Sequence, residues 1–369
     1  MPNRFSFIVA GATGATGSHV VAKLVAHPFV NRVVALSRYE ISYDKWPLVF
    51  PGIHMGDALR HLSVVPVQWD HLVQDAKALS NMGDNDDSAE EFARKKRSLL
   101  TSHVFYRSIF SGHHGAICAL GSRNLFSSTE LSTVDYEYAV AFGTLVRQYS
   151  DPAVAADLIK SDERNVDIRE YLREKNLEVT EDQFEEIASA VSDTLPHTSY
   201  AGSSSSEYVF DTRQRQETAM VNTATLRQMA FLSTAGANPV SPLPYFRAHG
   251  ECDRAIIEIA RSSEESEANS GGIVTSRFSS KPASISIWRP SVLTRRDDTR
   301  WFERMLAGIS PPLSAESLAG VIIKETMESI VAKERRGRKS AGKSPAVRIY
   351  SSADIVRLVD EMSVEEKNH

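Results

Sequence analysis

The sequence predicts an α/β fold, in which a doubly wound parallel sheet carries helices on both faces. Apolar runs of four or five residues alternate along the chain with longer stretches whose apolar residues recur at helical spacing. The first unit has an apolar run at 7–10, an amphipathic stretch at 18–27 and a second run at 33–36. Strands that alternate with helices form parallel sheets, because each helix carries the chain back across the sheet.

The later elements continue this alternation. We expect helices at 131–146, 245–261 and 314–332, a last helix that Ser352 caps, and strands at 64–67, 116–120, 229–233, 285–288 and 347–350. Pro66 interrupts the strand at 64–67 and has no N–H to donate to a ladder. That strand is therefore expected to pair on one side only or to contain a bulge.

The whole chain, 1–369, is expected to form one domain with two large insertions. Polar turn residues and mixed charges mark the first insertion at 72–112. The second, at 150–222, contains a capping-box pattern that predicts a helix through 191. Residues 289–346 are expected to form an elaboration on the substrate side of the domain.

Composition excludes several classes of function. The formal net charge of −5 argues against nucleic acid or anionic lipid as the main partner. The two cysteines, Cys118 and Cys252, form neither a disulfide framework nor a metal-ligand spacing, which fits a reducing compartment. No apolar run approaches the ~20 residues of a membrane span. The first strand leaves no room for a long leader, so we expect a cytoplasmic protein, with a mitochondrial location as the alternative.

A glycine-rich loop follows the first predicted strand, with the spacing G-x-x-G-x-x-G. Such a loop permits a tight turn, a close approach of backbone to a pyrophosphate, and close packing of helix on strand. A glycine triplet alone also fits a simple turn, but here a strand precedes it, a helix follows, and a second strand comes next. This order is typical of the Rossmann-type fold. The residues expected to contact a dinucleotide here are Gly11, Thr13, Gly14, Ala15, Thr16 and Gly17.

The residues that end the second strand bear on the choice of cofactor. An acidic side chain there would bind the ribose 2′-hydroxyl, but this chain has Ser37 and Arg38. A guanidinium suits a 2′-phosphate, so NADP(H) is the predicted cofactor, with a solvated surface cation as the alternative for Arg38. Asp70, after the third strand, is interpreted either as an adenine contact or as a helix N-cap.

Further motifs follow in a fixed order. They are Leu120-Gly-Ser, Val134-Asp-Tyr-Glu-Tyr, Leu232-Ser-Thr-Ala-Gly-Ala, Tyr245-Phe-Arg-Ala-His-Gly-Glu and Trp288-Arg-Pro-Ser-Val-Leu. With the glycine loop and Arg38, this order resembles the atypical short-chain dehydrogenase/reductase superfamily. The similarity is closest to its Tat-interacting-protein oxidoreductase-like group, which includes a fungal mitochondrial branch. The two insertions lie outside the resemblance.

The resemblance implies a catalytic set. In that superfamily a serine holds the substrate oxygen, and a tyrosine gives or takes the proton while hydride passes to or from the nicotinamide. A lysine four residues after the tyrosine binds the nicotinamide ribose and lowers the tyrosine pKa from about 10. The matching residues here are Ser233, Tyr245 and His249, with Leu120, Gly121, Tyr245 and His249 also expected beside the cofactor.

His249 departs from the family pattern, because it stands where the lysine is expected. A histidine still hydrogen-bonds a ribose hydroxyl, but at neutral pH it is mostly uncharged unless a partner raises its pKa. Two functions therefore stay open. One is an NADP(H)-dependent oxidoreductase of a small carbonyl or alcohol, with Tyr245 as acid/base. The other is a weakly active or inactive NADP(H)-binding scaffold or subunit whose insertions bind protein partners.

Other conspicuous residues receive plainer interpretations. His113 and His114 lack carboxylates or cysteines at ligand spacing, so they are interpreted as loop histidines, and no metal site is predicted. Cys118 is interpreted as a core thiol. The basic stretch at 333–343 has no interleaved aromatic residues, so we expect a solvated loop.

Overall fold

The computed structural model describes residues 5–81, 109–122, 127–149, 226–261, 283–291, 293–294, 313–336 and 347–367. The strands are β1 (Phe5–Ala10), β2 (Val30–Ser37), β3 (Leu62–Pro66), β4 (Gly115–Cys118), β5 (Gln228–Leu232), β6 (Ser284–Trp288), β7 (Leu293–Thr294), β8 (Leu313–Ser314) and β9 (Val347–Tyr350). Seven of them form one parallel sheet in the order β3-β2-β1-β4-β5-β6-β9, and β7 pairs with β8 separately. The predicted fold class, a Rossmann-type doubly wound parallel sheet, is confirmed.

Helices cover both faces of the sheet. They are α1 (Ala15–Ala26), α2 (Trp46–Val49), α3 (Met55–His61), α4 (Trp69–Asn81), α5 (Ser128–Glu130), α6 (Ala139–Tyr149), α7 (Pro244–Arg261), α8 (Ala315–Arg336) and α9 (Ser352–Lys367). A π-helical segment, Leu131–Tyr138, joins α5 to α6. No helix among the residues described is long and apolar enough to cross a bilayer.

Strand β1 shows why the sheet is covered twice. All six of its residues are buried, and successive side chains point to opposite faces. Ile8 belongs to the core under α4, α6 and α7, whereas Val9 belongs to the core under α1 and α8. A strand buried on both faces reads as a continuous apolar run, which is the pattern that the sequence shows.

Within the described residues the predicted strands and helices are confirmed, with small shifts at their ends and one difference in geometry. The helix predicted at 131–146 is π-helical over Leu131–Tyr138 and α-helical over Ala139–Tyr149. Among the strands that the structure describes, β3 is at the edge and pairs only with β2, so the one-sided pairing expected at Pro66 is confirmed there. The basic stretch was expected to be a loop from residue 333, but α8 continues to Arg336. That prediction is wrong at its start, because lysine and arginine favour a helix as readily as a loop.

The predicted insertions lie mostly outside the described residues, and their boundaries stay predictions. The first part of 72–112 belongs to α4, which follows β3 and precedes β4 along the chain. Ile109 and Phe110, near its end, are buried in the core. The range 150–222, with its expected helix, lies outside the described residues.

The direction of winding changes at β1. β2 and β3 lie on one side of it, and β4, β5, β6 and β9 lie on the other. In open α/β sheets, ligands bind outside the carboxyl ends of the strands at such a switch point. The loop after β1 and the residues after β4 meet there.

Candidate active site

The loop after β1 is shaped by contacts that exclude side chains. Gly11 has a φ of 70°, and a Cβ on it would lie 2.4 Å from the carbonyl carbon and oxygen of Ala119. A Cβ on Gly17 would lie 2.1 Å from the Gly11 oxygen. These two glycines are therefore required by the packing of the loop against β4 and α1.

Gly14 is less confined by protein atoms. A Cβ there would lie 3.2 Å from the Gly11 oxygen, an approach that small adjustments relieve. Gly14 precedes α1 in an extended conformation, no described side chain caps this helix, and its first turn holds no acidic residue. The N–H groups of a first turn attract anions. The residues present, with Thr13 and Ala15 exposed and Thr16 buried, thus fit a pyrophosphate.

The end of β4 lies directly beside this loop. The Ala119 N–H donates to the Ala10 oxygen at 2.9 Å, which extends the pairing of β1 with β4 past Cys118. Leu120 is half-buried and Gly121 is exposed at this edge. The structure therefore brings the two predicted cofactor-contacting residues next to the glycine loop.

The end of β2 presents a cation to solvent. Arg38 is exposed, and its guanidinium carbon lies 5.9 Å from the centre of the Tyr39 ring. Ser37 is buried, and its Oγ accepts the Tyr39 N–H at 3.3 Å. Ser37 therefore shapes the turn, while the Arg38 guanidinium is accessible at the edge where a ribose phosphate would lie.

Asp70 is not a helix N-cap, because α4 begins at Trp69 and Asp70 lies within its first turn. The Tyr138 hydroxyl donates to Asp70 Oδ1 at 2.8 Å, and the Trp69 ring stacks on Tyr138 with centroids 5.5 Å apart. Burial, reinforced by the Asp70 bond, raises the pKa of Tyr138 to about 12. These contacts tie α4 to the π-helical segment.

Two of the three predicted catalytic residues contact each other on one face of α7, and Ser233 contacts the same face at Asp253. Tyr245 and His249 are four residues apart, and their rings meet edge to face with centroids 4.8 Å apart. One turn further along lies Asp253, whose Oδ2 accepts the Ser233 hydroxyl at 3.1 Å. Ser233 follows β5 directly, and its N–H donates to the Trp288 oxygen at 2.7 Å.

The loop from β5 to α7 is held close to that helix. The Asn238 N–H donates to the Phe246 oxygen at 2.9 Å. A Cβ on Gly250 would lie 2.2 Å from the Asn238 carbonyl carbon, so only glycine permits this approach. These contacts hold the loop between Ser233 and Tyr245 against the start of α7.

His249 is buried against a carboxylate from the π-helical segment. Its Nε2 lies 3.4 Å from Asp135 Oδ1, and the side chains of the pair are 8% and 1% exposed. The Ser122 N–H lies 3.1 and 3.2 Å from the two oxygens of Asp135. Burial lowers the pKa of His249, although the charges of Asp135 and Asp253 act in the opposite direction. The imidazole is therefore neutral at pH 7.

Asp253 has a second partner, Arg289, which follows β6. Nε and Nη2 of the guanidinium donate to Asp253 Oδ2 at 3.0 and 2.7 Å. Burial raises the pKa of Asp253, and the bonds from Arg289 and Ser233 counteract part of that rise. This paired carboxylate anchors the Ser233 hydroxyl.

The sequence interpretation missed Asp135, Asp253 and Arg289. Asp253 carried a signal, because Tyr245, His249 and Asp253 recur every four residues and so share a helix face. Arg289 and Asp135 lay within quoted motifs, but nothing in their local pattern pointed to the histidine.

The remaining predictions concern residues away from this edge. Cys118 and Cys252 are free and buried, which confirms the core interpretation of Cys118, whose thiol pKa burial raises to about 12. His113 and His114 lie in the loop before β4, as predicted, and His113 is buried there. Among the residues described, no group of three or more His, Cys, Asp or Glu side chains is arranged to hold a metal ion.

Comparison with known proteins gives matches in structure only. The sequence matches no protein-family model and no curated protein. The structure is similar to a short-chain type dehydrogenase/reductase from Mycobacterium ulcerans (TM-score 0.43, 10% identity, 96% of this chain and 92% of that one). It is also similar to a short-chain dehydrogenase/reductase-family oxidoreductase from Burkholderia thailandensis (TM-score 0.42, 11% identity, 99% and 98%). A third similar structure is 3-oxoacyl-(acyl-carrier protein) reductase from Brucella melitensis in complex with NAD (TM-score 0.42, 10% identity, 96% and 99%).

Proposed function

We propose that this chain is an NADP(H)-dependent oxidoreductase of the short-chain dehydrogenase/reductase type, acting on a small carbonyl or alcohol. One observation carries the proposal: Tyr245, His249 and Asp253 share a helix face, and Asp253 binds Ser233 at the carboxyl edge of the sheet. The uncapped start of α1 lies at that same edge. We also propose that, within this type, the chain belongs to the Tat-interacting-protein oxidoreductase-like group.

The residues divide the work as follows. The first turn of α1 binds the pyrophosphate, and Arg38 pairs with the 2′-phosphate. When bound, the dinucleotide supplies or accepts a hydride at the nicotinamide. Tyr245 donates the proton to a carbonyl oxygen, or removes it from an alcohol, while Ser233 holds that oxygen with its hydroxyl turned from Asp253 to the substrate. Arg289 and Asp253 hold Ser233 in place.

One observation favours the non-catalytic alternative. The superfamily lysine would be a fixed cation beside Tyr245, whereas His249 is neutral because burial lowers its pKa. Without a cation nearby, Tyr245 is a poorer base, although it still donates a proton to a carbonyl. The alternative function is thus an NADP(H)-binding scaffold or subunit.

Cofactor choice is tested by titrating the protein with NADPH and NADH. Replacing Arg38 by alanine removes a charge-assisted contact of about 1.5–3 kcal/mol, so NADPH affinity should fall at least roughly tenfold while NADH affinity is unchanged. Arg357→Ala, an exposed arginine on α9, is the matched control. Equal or tighter binding of NADH by the unmodified protein would contradict the role of Arg38.

Activity is tested by screening aldehydes and ketones with NADPH. Tyr245→Phe should abolish any turnover, and turnover that survives this change would refute the acid/base role. Silence in the unmodified protein, combined with activity gained in His249→Lys, would instead support a decayed enzyme.

The domain arrangement and the partners remain part of the proposal. We propose one domain over 1–369 whose insertions at 72–112 and 150–222 bind protein partners, in the cytoplasm or alternatively in mitochondria. Deleting 151–220 should remove co-purifying proteins and leave NADPH affinity intact. Loss of cofactor binding as well would count against a role confined to partners.

A further inference from the structure

His249 and Asp135 lie on different helical segments, and the packing of these segments does not require a histidine to contact a carboxylate. Asp135 is a buried carboxylate on an otherwise apolar helix face. The residues four positions before and after it, Leu131 and Ala139, are apolar and also buried. The segment that carries it is π-helical, a rare geometry that is frequent at functional sites. The bond from the Ser122 N–H accounts for anchoring of the loop after β4, but it does not require an imidazole 3.4 Å away.

The orientation of the pair decides its chemistry. The His249 nitrogen that faces Asp135 is Nε2, and because a carboxylate only accepts hydrogen bonds, this contact favours the tautomer with the hydrogen on Nε2. The other nitrogen, Nδ1, then holds a lone pair. A carboxylate that fixes one nitrogen as N–H prepares the other as a base, and it stabilises the imidazolium that forms.

The groups around His249 determine its response to pH. They come from every element packed at this point: Asp135 from the π-helical segment, Tyr245, Cys252 and Asp253 from α7, Cys118 from β4, and Arg289 behind Asp253 from β6. Arg289 is paired with Asp253, so Asp135 is the carboxylate without such a guanidinium among these groups. Asp135 is therefore the principal partner of an imidazolium.

We propose that Asp135 and His249 form an acid–base pair that exchanges the substrate proton through Tyr245, in place of the fixed cation used elsewhere. The proposal rests on the proposed function. In the oxidative direction, the alcohol carbon loses a hydride to the nicotinamide dinucleotide and its hydroxyl loses a proton to Tyr245 Oη. The phenol hydrogen passes to His249 Nδ1, directly or through one water, and leaves a carbonyl product and an imidazolium paired with Asp135. Carbonyl reduction reverses each transfer.

Nitrogen-15 NMR of the full-length protein with labelled histidines tests the pair without any substrate. The signals of His249 are those that disappear in His249→Gln. We expect the Nε2–H tautomer, with Nδ1 unprotonated, in the unmodified protein. Asp135→Asn should lower the titration midpoint of His249 by about one pH unit or more, since a carboxylate within about 4–6 Å shifts a pKa by that amount. Asp360→Asn, an exposed carboxylate on α9, is the matched control.

The same spectra test the link to Tyr245. Tyr245→Phe should shift the Nδ1 resonance and leave Nε2 in place. An Nδ1–H tautomer, a midpoint that ignores Asp135→Asn, or an Nδ1 resonance that ignores Tyr245→Phe would each overturn the proposal.

NADPH titration of the same variants separates this proposal from the function on which it rests. Asp135→Asn should bind NADPH as the unmodified protein does, because the amide oxygen of asparagine still accepts the Ser122 N–H and so holds the loop after β4. An unmodified protein that fails to bind NADPH would refute the proposed function, whereas loss of binding only in Asp135→Asn would make Asp135 a structural anchor and overturn the pair.

Discussion

Two buried histidines at opposite ends of the sheet are held in contrasting ways. At the amino end, His113 Nε2 donates to the Ile109 oxygen at 2.6 Å, and its Nδ1 accepts the Ser6 hydroxyl at 2.9 Å. Both partners are neutral, and burial lowers the pKa of His113 well below its usual value. At the carboxyl end, His249 faces Asp135 and Asp253 instead.

The difference teaches that burial alone does not make a residue a candidate for chemistry. His113 is satisfied as a neutral ring, and protonation at Nδ1 would remove the acceptor of the Ser6 hydroxyl. His249 lies where two carboxylates would stabilise a proton that burial disfavours. Opposed effects of this kind are typical of functional sites. The predictions below test whether the carboxyl end is built for a ligand and the amino end for stability.

The largest effect is expected at the glycine loop. Gly11→Ala combines a left-handed φ with a 2.4 Å clash, and should lower the free energy of unfolding by about 2–5 kcal/mol. Gly14→Ala should change stability less, because its Cβ comes no closer than 3.2 Å to protein atoms, and it should weaken NADPH binding, because the side chain is added where the backbone is expected to approach the pyrophosphate. Urea unfolding and cofactor titration of both variants measure this. A Gly14→Ala protein as unstable as Gly11→Ala would contradict a loop shaped for a ligand.

The next effect is expected at Arg289. Arg289→Ala leaves the Asp253 carboxylate buried without its guanidinium, which should cost about 3 kcal/mol at pH 7. Asp253→Asn should cost less, because no charge remains buried. Without Arg289 the folded-state pKa of Asp253 lies further above its unfolded value, so the folded form retains its proton better. The deficit of Arg289→Ala should therefore shrink as pH falls from 7 to 5, and a deficit that grows would contradict this pairing.

A smaller effect separates the two histidines by pH. The folded-state pKa of His113 is depressed, so below the unfolded value of about 6.5 the unfolded chain binds the extra proton. Stability should thus fall on acidification by about 1.4 kcal/mol per pH unit from this group, and be fully present above about pH 7. His113→Gln should flatten this dependence more than His249→Gln does. Denaturant unfolding between pH 7.5 and 5.5 measures both slopes, and equal flattening would remove the contrast.

The smallest effect on stability is expected at an exposed ion pair, which serves as a reference for the buried pair of Arg289 and Asp253. Lys324 on α8 and Glu365 on α9 form a pair at 2.6 Å on the flank of the sheet, with Glu365 62% exposed. Lys324→Ala should cost less than about 1 kcal/mol, and less still in high salt. A cost as large as that of Arg289→Ala would mean that burial does not distinguish the two pairs.

Most of the fold could be predicted because the apolar pattern of each strand and helix lies within its own residues. The strand at Val30–Ser37 and the helix at Pro244–Arg261 have apolar periods that their own residues display. Pro66 could even be placed at an edge, because its missing N–H is a property of one residue.

The site was only partly predictable, because its decisive contacts join distant segments. Asp135 was expected within a regular amphipathic helix, and the π-helical geometry that aligns it with Leu131 and Ala139 has no known local signature here. The partner of His249 lies more than a hundred residues before it. Asp253, by contrast, was within reach of the spacing argument, since it follows His249 by one helical turn.

The position of Pro66 has a consequence for encounters between molecules. Edge strands offer unpaired backbone groups on which a strand from a second molecule can assemble, and this is a route to aggregation. β3 is such an edge, and Pro66 is exposed at its carboxyl end. At Pro66 an incoming strand would lack a backbone N–H donor, and the pyrrolidine ring would hinder its approach. The proline thus discourages growth of the sheet beyond β3, beside the edge where the cofactor is expected to bind.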